Sequence, residues 1–122
     1  MNHESALLWH CVADCDAVPL REGRRVRAGA HDVALFNLGD TFLAVDNRCP
    51  HRQGPLADGI VAGSAVFCPL HSWKINLADG HVLAGGEGCV QTYPVKIVDG
   101  KVYIAFDIPT QGRVAHGDDV IS

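Results

Sequence analysis

The sequence predicts an all-β protein, a small antiparallel sandwich or barrel. Three observations point there. Short runs rich in β-branched and aromatic residues recur between turn residues. No segment of helix length carries an apolar stripe at helical spacing. Asp99-Gly100 stands between two alternating runs, residues 90–98 and 101–106, which is a strong short hairpin signal.

Taken in order, residues 6–12 (ALLWHCV) form a first strand with Leu7, Trp9 and Cys11 on one face. Residues 14–20 contain Asp, Cys and Pro without a long period and are expected as a turn or a single helical turn. A polar strand containing Val26 follows over residues 21–28. Residues 31–37 and 41–46 make a hairpin across Leu38-Gly39-Asp40. Residues 61–68 contain a strand, residues 72–76 lead out of the next loop, and Leu77-Ala78-Asp79-Gly80 is a turn. Gly85, Gly86 and Gly88 give a flexible stretch. Pro94 suggests an edge position or a bulge within the run 90–98. The polar tail, residues 107–122, is expected to be loosely ordered alone.

A chain of 122 residues suggests one domain able to bury a core without disulfides. With 48% hydrophobic residues and a formal charge of −4, the class expected is soluble and globular, and nucleic acid is a poor partner. Arg24, Arg25 and Arg27 are the densest basic cluster and are expected on a solvated strand face. No apolar stretch reaches membrane-spanning length, and no secretory signal is visible. The expected compartment is therefore the cytoplasm, where five Cys are more readily ligands or buried thiols than disulfides.

Two short loops of one kind carry the chemistry. They are Cys49-Pro50-His51 and Cys68-Pro69-Leu70-His71, with sixteen residues between His51 and Cys68. Each offers one soft sulfur and one imidazole, and a hairpin that brings them together makes a transition-metal site. A structural zinc site from the same four residues, or core Cys and His that coincide, are the alternatives. Zinc fingers usually group a Cys pair before a His pair, whereas here each loop holds one of each. No nucleophile elbow, phosphate loop or dinucleotide fingerprint is present, so the chain is not expected to be catalytic alone.

The Cys-x-His and Cys-x-x-His pairs, each Cys followed by Pro, closely resemble the Rieske binding signature. That resemblance implies a [2Fe-2S] cluster, with Cys49 and Cys68 on one iron and His51 and His71 on the other. It also implies a cluster-binding subdomain, about residues 47–85, inserted into an antiparallel β base within a domain spanning 1–106. Respiratory-chain Rieske proteins carry an extra Cys in each loop, joined as a disulfide. The matching positions here are Gly54 and Leu70, and Trp73 stands where those proteins place a Ser hydroxyl. Fewer donors to the cluster imply a potential in the lower part of the Rieske range, below about 0 mV.

The run CPLHSWKINLADGHVLAGGEGCVQTYPVKIVDGKVYIAF resembles the small subunit of assimilatory NAD(P)H-dependent nitrite reductase. Gly86-Glu87-Gly88-Cys89-Val90 followed by Thr92-Tyr93-Pro94-Val95 is its most specific part. Many members of that family lack the four ligands; this chain keeps them. The resemblance implies a role in nitrate assimilation beside a large subunit bearing flavin, a [4Fe-4S] cluster and sirohaem, which reduces nitrite to ammonium. A ferredoxin component of an aromatic-ring dioxygenase is the competing resemblance, and Ala44-Val45-Asp46-Asn47-Arg48-Cys49-Pro50-His51 fits both. Arg48 and Arg52 are expected as solvated loop charges that could also tune the potential or dock a partner. Trp73 is expected to shield the cluster or pack on the base. His10, His31 and His81 are expected as structural or surface histidines, and Cys11, Cys15 and Cys89 as small buried residues.

Overall fold

The computed structural model describes residues 6–28, 31–50, 54–70 and 72–108. Eleven strands among them form three antiparallel sheets. The first sheet holds β1 (Ala6–Asp14), β10 (Val95–Val98) and β11 (Lys101–Ile108), with β11 in the middle. The second runs β2 (Gly23–Ala28), β3 (His31–Asn37), β4 (Phe42–Asp46) and β9 (Thr92–Tyr93). The third runs β5 (Ile60–Ala62), β6 (Ala65–Phe67), β7 (Lys74–Asn76) and β8 (Val82–Ala84). Single 3₁₀ turns lie at Cys15–Ala17 and Leu56–Asp58.

Strand β3 of the second sheet is buried on both faces. Val33, Ala34, Leu35 and Phe36 of β3 are all fully buried, so the run cannot alternate polar with apolar. Val33 and Leu35 join Val18, Val26, Ala44, Val102 and Ile104 in a cluster shared with the first sheet. Ala34 and Phe36 face the other way, onto Val45, Leu56, Val66, Ile75 and Leu77, shared with the third sheet. Cys49 and Cys68 belong to this second cluster. The third sheet and its loops are thus anchored by the middle layer.

Two expectations change here. Residues 90–98 are not one strand. Thr92 and Tyr93 pair with β4, then Val95 to Val98 pair with β11. Pro94 sits at the crossing because it has no N–H for either ladder, while its carbonyl accepts from Ala105 N at 3.1 Å. Cys11 and Cys89 are exposed and Cys15 half-buried, so none of the three is a buried core thiol. Cys11 alternates with the inward residues of β1, and Cys89 lies on a loop. The Asp99-Gly100 hairpin forms as its chemistry demands, with φ of 51° and 76° at the two turn residues.

Arg25 is less free than a solvated strand residue. Its Nε and a terminal nitrogen each donate to the Asp32 carboxylate across the β2–β3 ladder at 2.8 Å. These hydrogen bonds hold the Asp32 carboxyl below the usual carboxylate range. A depressed acid contributes stability that is full above its unfolded value and is lost as pH falls through the folded one. The chain is expected to lose this contribution below about pH 4, and Asp32→Asn to lose it at neutral pH. Urea midpoints of the two proteins at pH 7 and pH 3 would converge on acidification; a constant gap between them would contradict the assignment.

Candidate metal centre

Loop one leaves β4 and turns back at once. Cys49 N donates to Gly54 O at 2.9 Å, and Arg48 and Pro55 form an isolated bridge. Asn47, 1% exposed, is its anchor. Its backbone N–H donates to Asp32 O at 2.8 Å and its carbonyl accepts from Leu56 N at 2.7 Å. Its side-chain oxygen accepts from Ala57 N at 2.8 Å, and its amide nitrogen donates to Asp32 at 3.3 Å. A buried amide with both ends satisfied therefore ties loop one to β3 and to the 3₁₀ turn after the loop.

Loop two lies between β6 and β7. Cys68 N donates to Trp73 O at 2.8 Å, and Ser72 N donates to Cys68 O at 3.1 Å. Ser72 takes φ of 56°, a left-handed conformation uncommon outside glycine, which turns the chain back toward β7. Leu70 N donates to Cys68 Sγ at 3.4 Å. This donor follows from the tight Cys68-Pro69-Leu70 turn.

Cys49 and Cys68 lie together. Both are buried in one cluster. Burial pushes the Cys68 thiol up, and the neighbouring Cys49 pushes it further, while the Leu70 N–H opposes them. Two adjacent buried sulfurs with an N–H aimed at one of them suit a soft metal, which binds and stabilises thiolates. His51 and His71, and Arg52 beside the first, lie outside the described residues. Among the described residues, no three His, Cys, Asp or Glu side chains converge on a metal position.

Gly54 and Leu70 face each other. A Cβ at Gly54 would lie 3.0 Å from both Leu70 Cγ and Cys68 Sγ, so glycine leaves room for the sulfur. Trp73 packs against the buried cluster that holds both cysteines. Its indole lies on the backbone of Gly85 and Gly86, where a Cβ at Gly85 would sit 2.8 Å from Trp73 Cδ1. A Cβ at Gly88 would touch Pro50 at 3.6 Å. The stretch around Gly85 to Gly88 is thus a third loop, held against both cysteine loops. Gly86→Val is expected to displace the indole and destabilise the protein by about 1–3 kcal/mol. Red-shifted tryptophan emission, lost in a Trp73→Phe background, would report it; unchanged emission and midpoint would contradict the packing.

Of the other residues singled out in the sequence, His31 Nδ1 lies 3.2 Å from Tyr93 Oη, with the two rings edge to face. Tyr93 is pushed up to about 12, first by burial. His81 has the carboxylate neighbour that sequence spacing did not reveal, Asp79 Oδ1 at 3.4 Å from its Nδ1. Arg48 Nε lies 3.5 Å from Asp46 Oδ1 and remains half-exposed.

These features define a small β protein with two buried cysteines where two loops meet a third. The chain belongs to the Rieske [2Fe-2S] domain family, whose model matches residues 8–94. It is 36% identical over 101 residues to the nitrite reductase [NAD(P)H] large subunit of Klebsiella oxytoca, covering 79% of this chain but only 11% of that protein. It is 33% identical over 105 residues to the anthranilate 1,2-dioxygenase ferredoxin subunit of Burkholderia cepacia, covering 85% of this chain and 97% of that one. Its fold superposes on the Sphingomonas yanoikuyae B1 ferredoxin with a TM-score of 0.73 at 29% identity, over 82% of this chain and 98% of that one.

The cofactor of the family is a Rieske [2Fe-2S] cluster, and the chain is a Rieske-type electron-transfer protein of an oxidoreductase system. That cofactor sets the zinc reading aside. No helix among the described residues is long and apolar enough to cross a membrane.

Proposed function

We propose that Cys49 and Cys68 hold one iron of the cluster and His51 and His71 the other, within a Rieske domain over residues 1–106. The cluster-binding part would span about residues 47–85, and residues 107–122 would form a tail. When bound, the cluster supplies a one-electron carrier whose two neutral imidazoles make reduction easier than in an all-Cys cluster. The chain's own work is then to bury Cys49 and Cys68, direct the Leu70 N–H at sulfur, and cover the loops with Trp73 and residues 85–88. One N–H on Cys68 Sγ among the described residues is a sparse donor set. A redox titration of the holoprotein is expected to give a midpoint below about 0 mV; a clearly positive midpoint would count against this.

The reading we favour for the destination of the electron is an NAD(P)H-dependent nitrite reductase, with this chain as its small electron-transfer subunit in the cytoplasm. The 36% identity with the nitrite reductase large subunit of Klebsiella oxytoca carries it. The partner would be a large subunit bearing flavin and sirohaem. A ferredoxin of an aromatic-ring dioxygenase is the second reading, favoured by the match along 97% of the anthranilate dioxygenase ferredoxin. Affinity capture from the native host with the tagged holoprotein separates them. Recovery of a sirohaem protein, with nitrite-dependent NAD(P)H oxidation, is expected. Recovery of a ring-hydroxylating oxygenase would reject the nitrite reductase assignment.

A further inference from the structure

A line of polar side chains runs from the β2–β3 ladder to loop one. Arg25 on β2 pairs with Ala34, which makes Asp32 its diagonal neighbour, within reach of a long side chain. Strand alternation puts Asp32 on the face of Ala34 and Phe36, the face that packs on the cluster holding Cys49 and Cys68. The Asp32 side chain is 16% exposed against 51% for Arg25, so Arg25 is the outer end of the line and Asp32 its covered middle. Asp32 Oδ1 accepts from Arg25 Nε and from Asn47 Nδ2, and Oδ2 accepts from the second Arg25 nitrogen. Both partners favour the ionised carboxylate, Arg25 more than Asn47.

An ionised carboxylate only accepts, and a backbone N–H only donates. The Asn47 amide lies between the Asp32 carboxylate and Ala57 N, so one orientation satisfies both: nitrogen to Asp32, oxygen to Ala57. Reversed, the amide would set oxygen against carboxylate and N–H against N–H. Asp32 therefore decides which way the Asn47 amide points, and the amide decides whether Ala57 is held. Asn47 opens loop one, and Leu56 and Ala57 close it on the Asn47 carbonyl and side-chain oxygen. Cys49 lies inside this neck, two residues after Asn47, with its own N–H on Gly54 O. Arg25 also feels the carboxylate of Asp58, the residue after Ala57, so the line returns toward its start.

We propose that Asp32 is a positioning residue for the metal centre: it orients the Asn47 amide that closes the neck of loop one, and so fixes where the Cys49 sulfur stands. Arg25 is its outer support. The role rests on the ligand reading given above for Cys49. It is distinct from the stability that the Arg25–Asp32 pair contributes, because it needs an acceptor at position 32 and not a charge.

The test adds an iron chelator to the cluster-loaded protein, well below every Tm, and follows the visible absorbance as the cluster leaves. Electron paramagnetic resonance of the dithionite-reduced protein gives the g values. Asp32→Ala deprives the Asn47 amide of its acceptor and is expected to release the cluster at least about tenfold faster, with shifted g values. Asp32→Asn keeps an acceptor oxygen, and Arg25→Gln keeps the carboxylate. Both are expected to release the cluster within about threefold of the parent, with unchanged g values. All three variants lose the ion pair, so release that simply follows Tm would be alike in all three and would overturn the proposal. Parental release from Asp32→Ala would also overturn it. A second pair of variants decides the matter if Asp32→Ala does not fold. Asn47→Asp sets two carboxylates together and is expected to speed release about tenfold. Adding Asp32→Asn reverses the pair: the amide at position 32 donates to the carboxylate at position 47, whose other oxygen keeps Ala57. Release is expected to return to within about threefold of the parent, and no return would overturn the proposal. A parent that never loads a cluster would reject the ligand reading itself, whereas a loaded parent whose variants break this pattern would reject the positioning role alone.

Discussion

Cys68→Ala, expressed with iron available, is expected to purify without the red-brown colour and with cluster content reduced more than tenfold. Cys68 is 2% exposed and accepts the Leu70 N–H, so its sulfur is embedded, and among the described thiols only Cys49 shares its cluster. The two loops remain tied by backbone bonds, from Cys49 N to Gly54 O and from Cys68 N to Trp73 O, which an alanine leaves intact. The apoprotein is therefore expected to keep its β structure. Iron and acid-labile sulfide assays, beside a far-ultraviolet circular dichroism spectrum, check this. Full iron content with the visible spectrum of the parent would contradict a ligand role for Cys68.

Asn47→Ala is expected to cost about 3 kcal/mol and to lower Tm by roughly 10–15 °C. The substitution strands the buried Ala57 N–H and removes one donor to Asp32. An unsatisfied buried donor costs more than the bond itself was worth, which makes this one of the few polar changes with a core-sized effect. Asn47→Asp separates the two halves of the latch. It keeps an acceptor for Ala57 but sets a second carboxylate against Asp32, so its Tm is expected to recover on mild acidification, when one of the pair takes a proton. A Tm within about 2 °C of the parent for Asn47→Ala would show that the latch is not structural. Loop one starts two residues after Asn47, so the same variant should also bind the cluster less well.

The antiparallel β fold was legible because strand chemistry is local. The hairpin across residues 38–40 and the Asp99-Gly100 turn follow from turn residues between apolar runs. Pro94 marked a discontinuity, but whether it ends a pairing or swaps it depends on what lies on either side, which local sequence does not hold. β8 was hidden because Val82–Ala84 is short and runs straight into glycines.

The cysteine pair of the candidate site was legible from ligand spacing, and the fold brings Cys49 and Cys68 into one buried cluster. Three contributions were not. The Leu70 N–H depends on the turn taken by loop two, Asn47 resembles any loop asparagine until its four partners are in place, and the glycine–indole contact joins residues twelve and thirteen positions apart. Exposure misled most for the spare cysteines. A free Cys is usually buried, but Cys89 is held outward by the bridge to His81.

The proposed centre holds two chemically different irons, one with sulfur ligands and one with nitrogen. Mössbauer spectroscopy of the iron-57-labelled, dithionite-reduced holoprotein tests it most directly. Two iron sites of equal area are expected, one ferric with sulfur-type parameters and one ferrous with the larger isomer shift of nitrogen ligation, at two irons and two sulfides per chain. Two irons with matching all-sulfur parameters, or a colourless protein that holds zinc without sulfide, would contradict it.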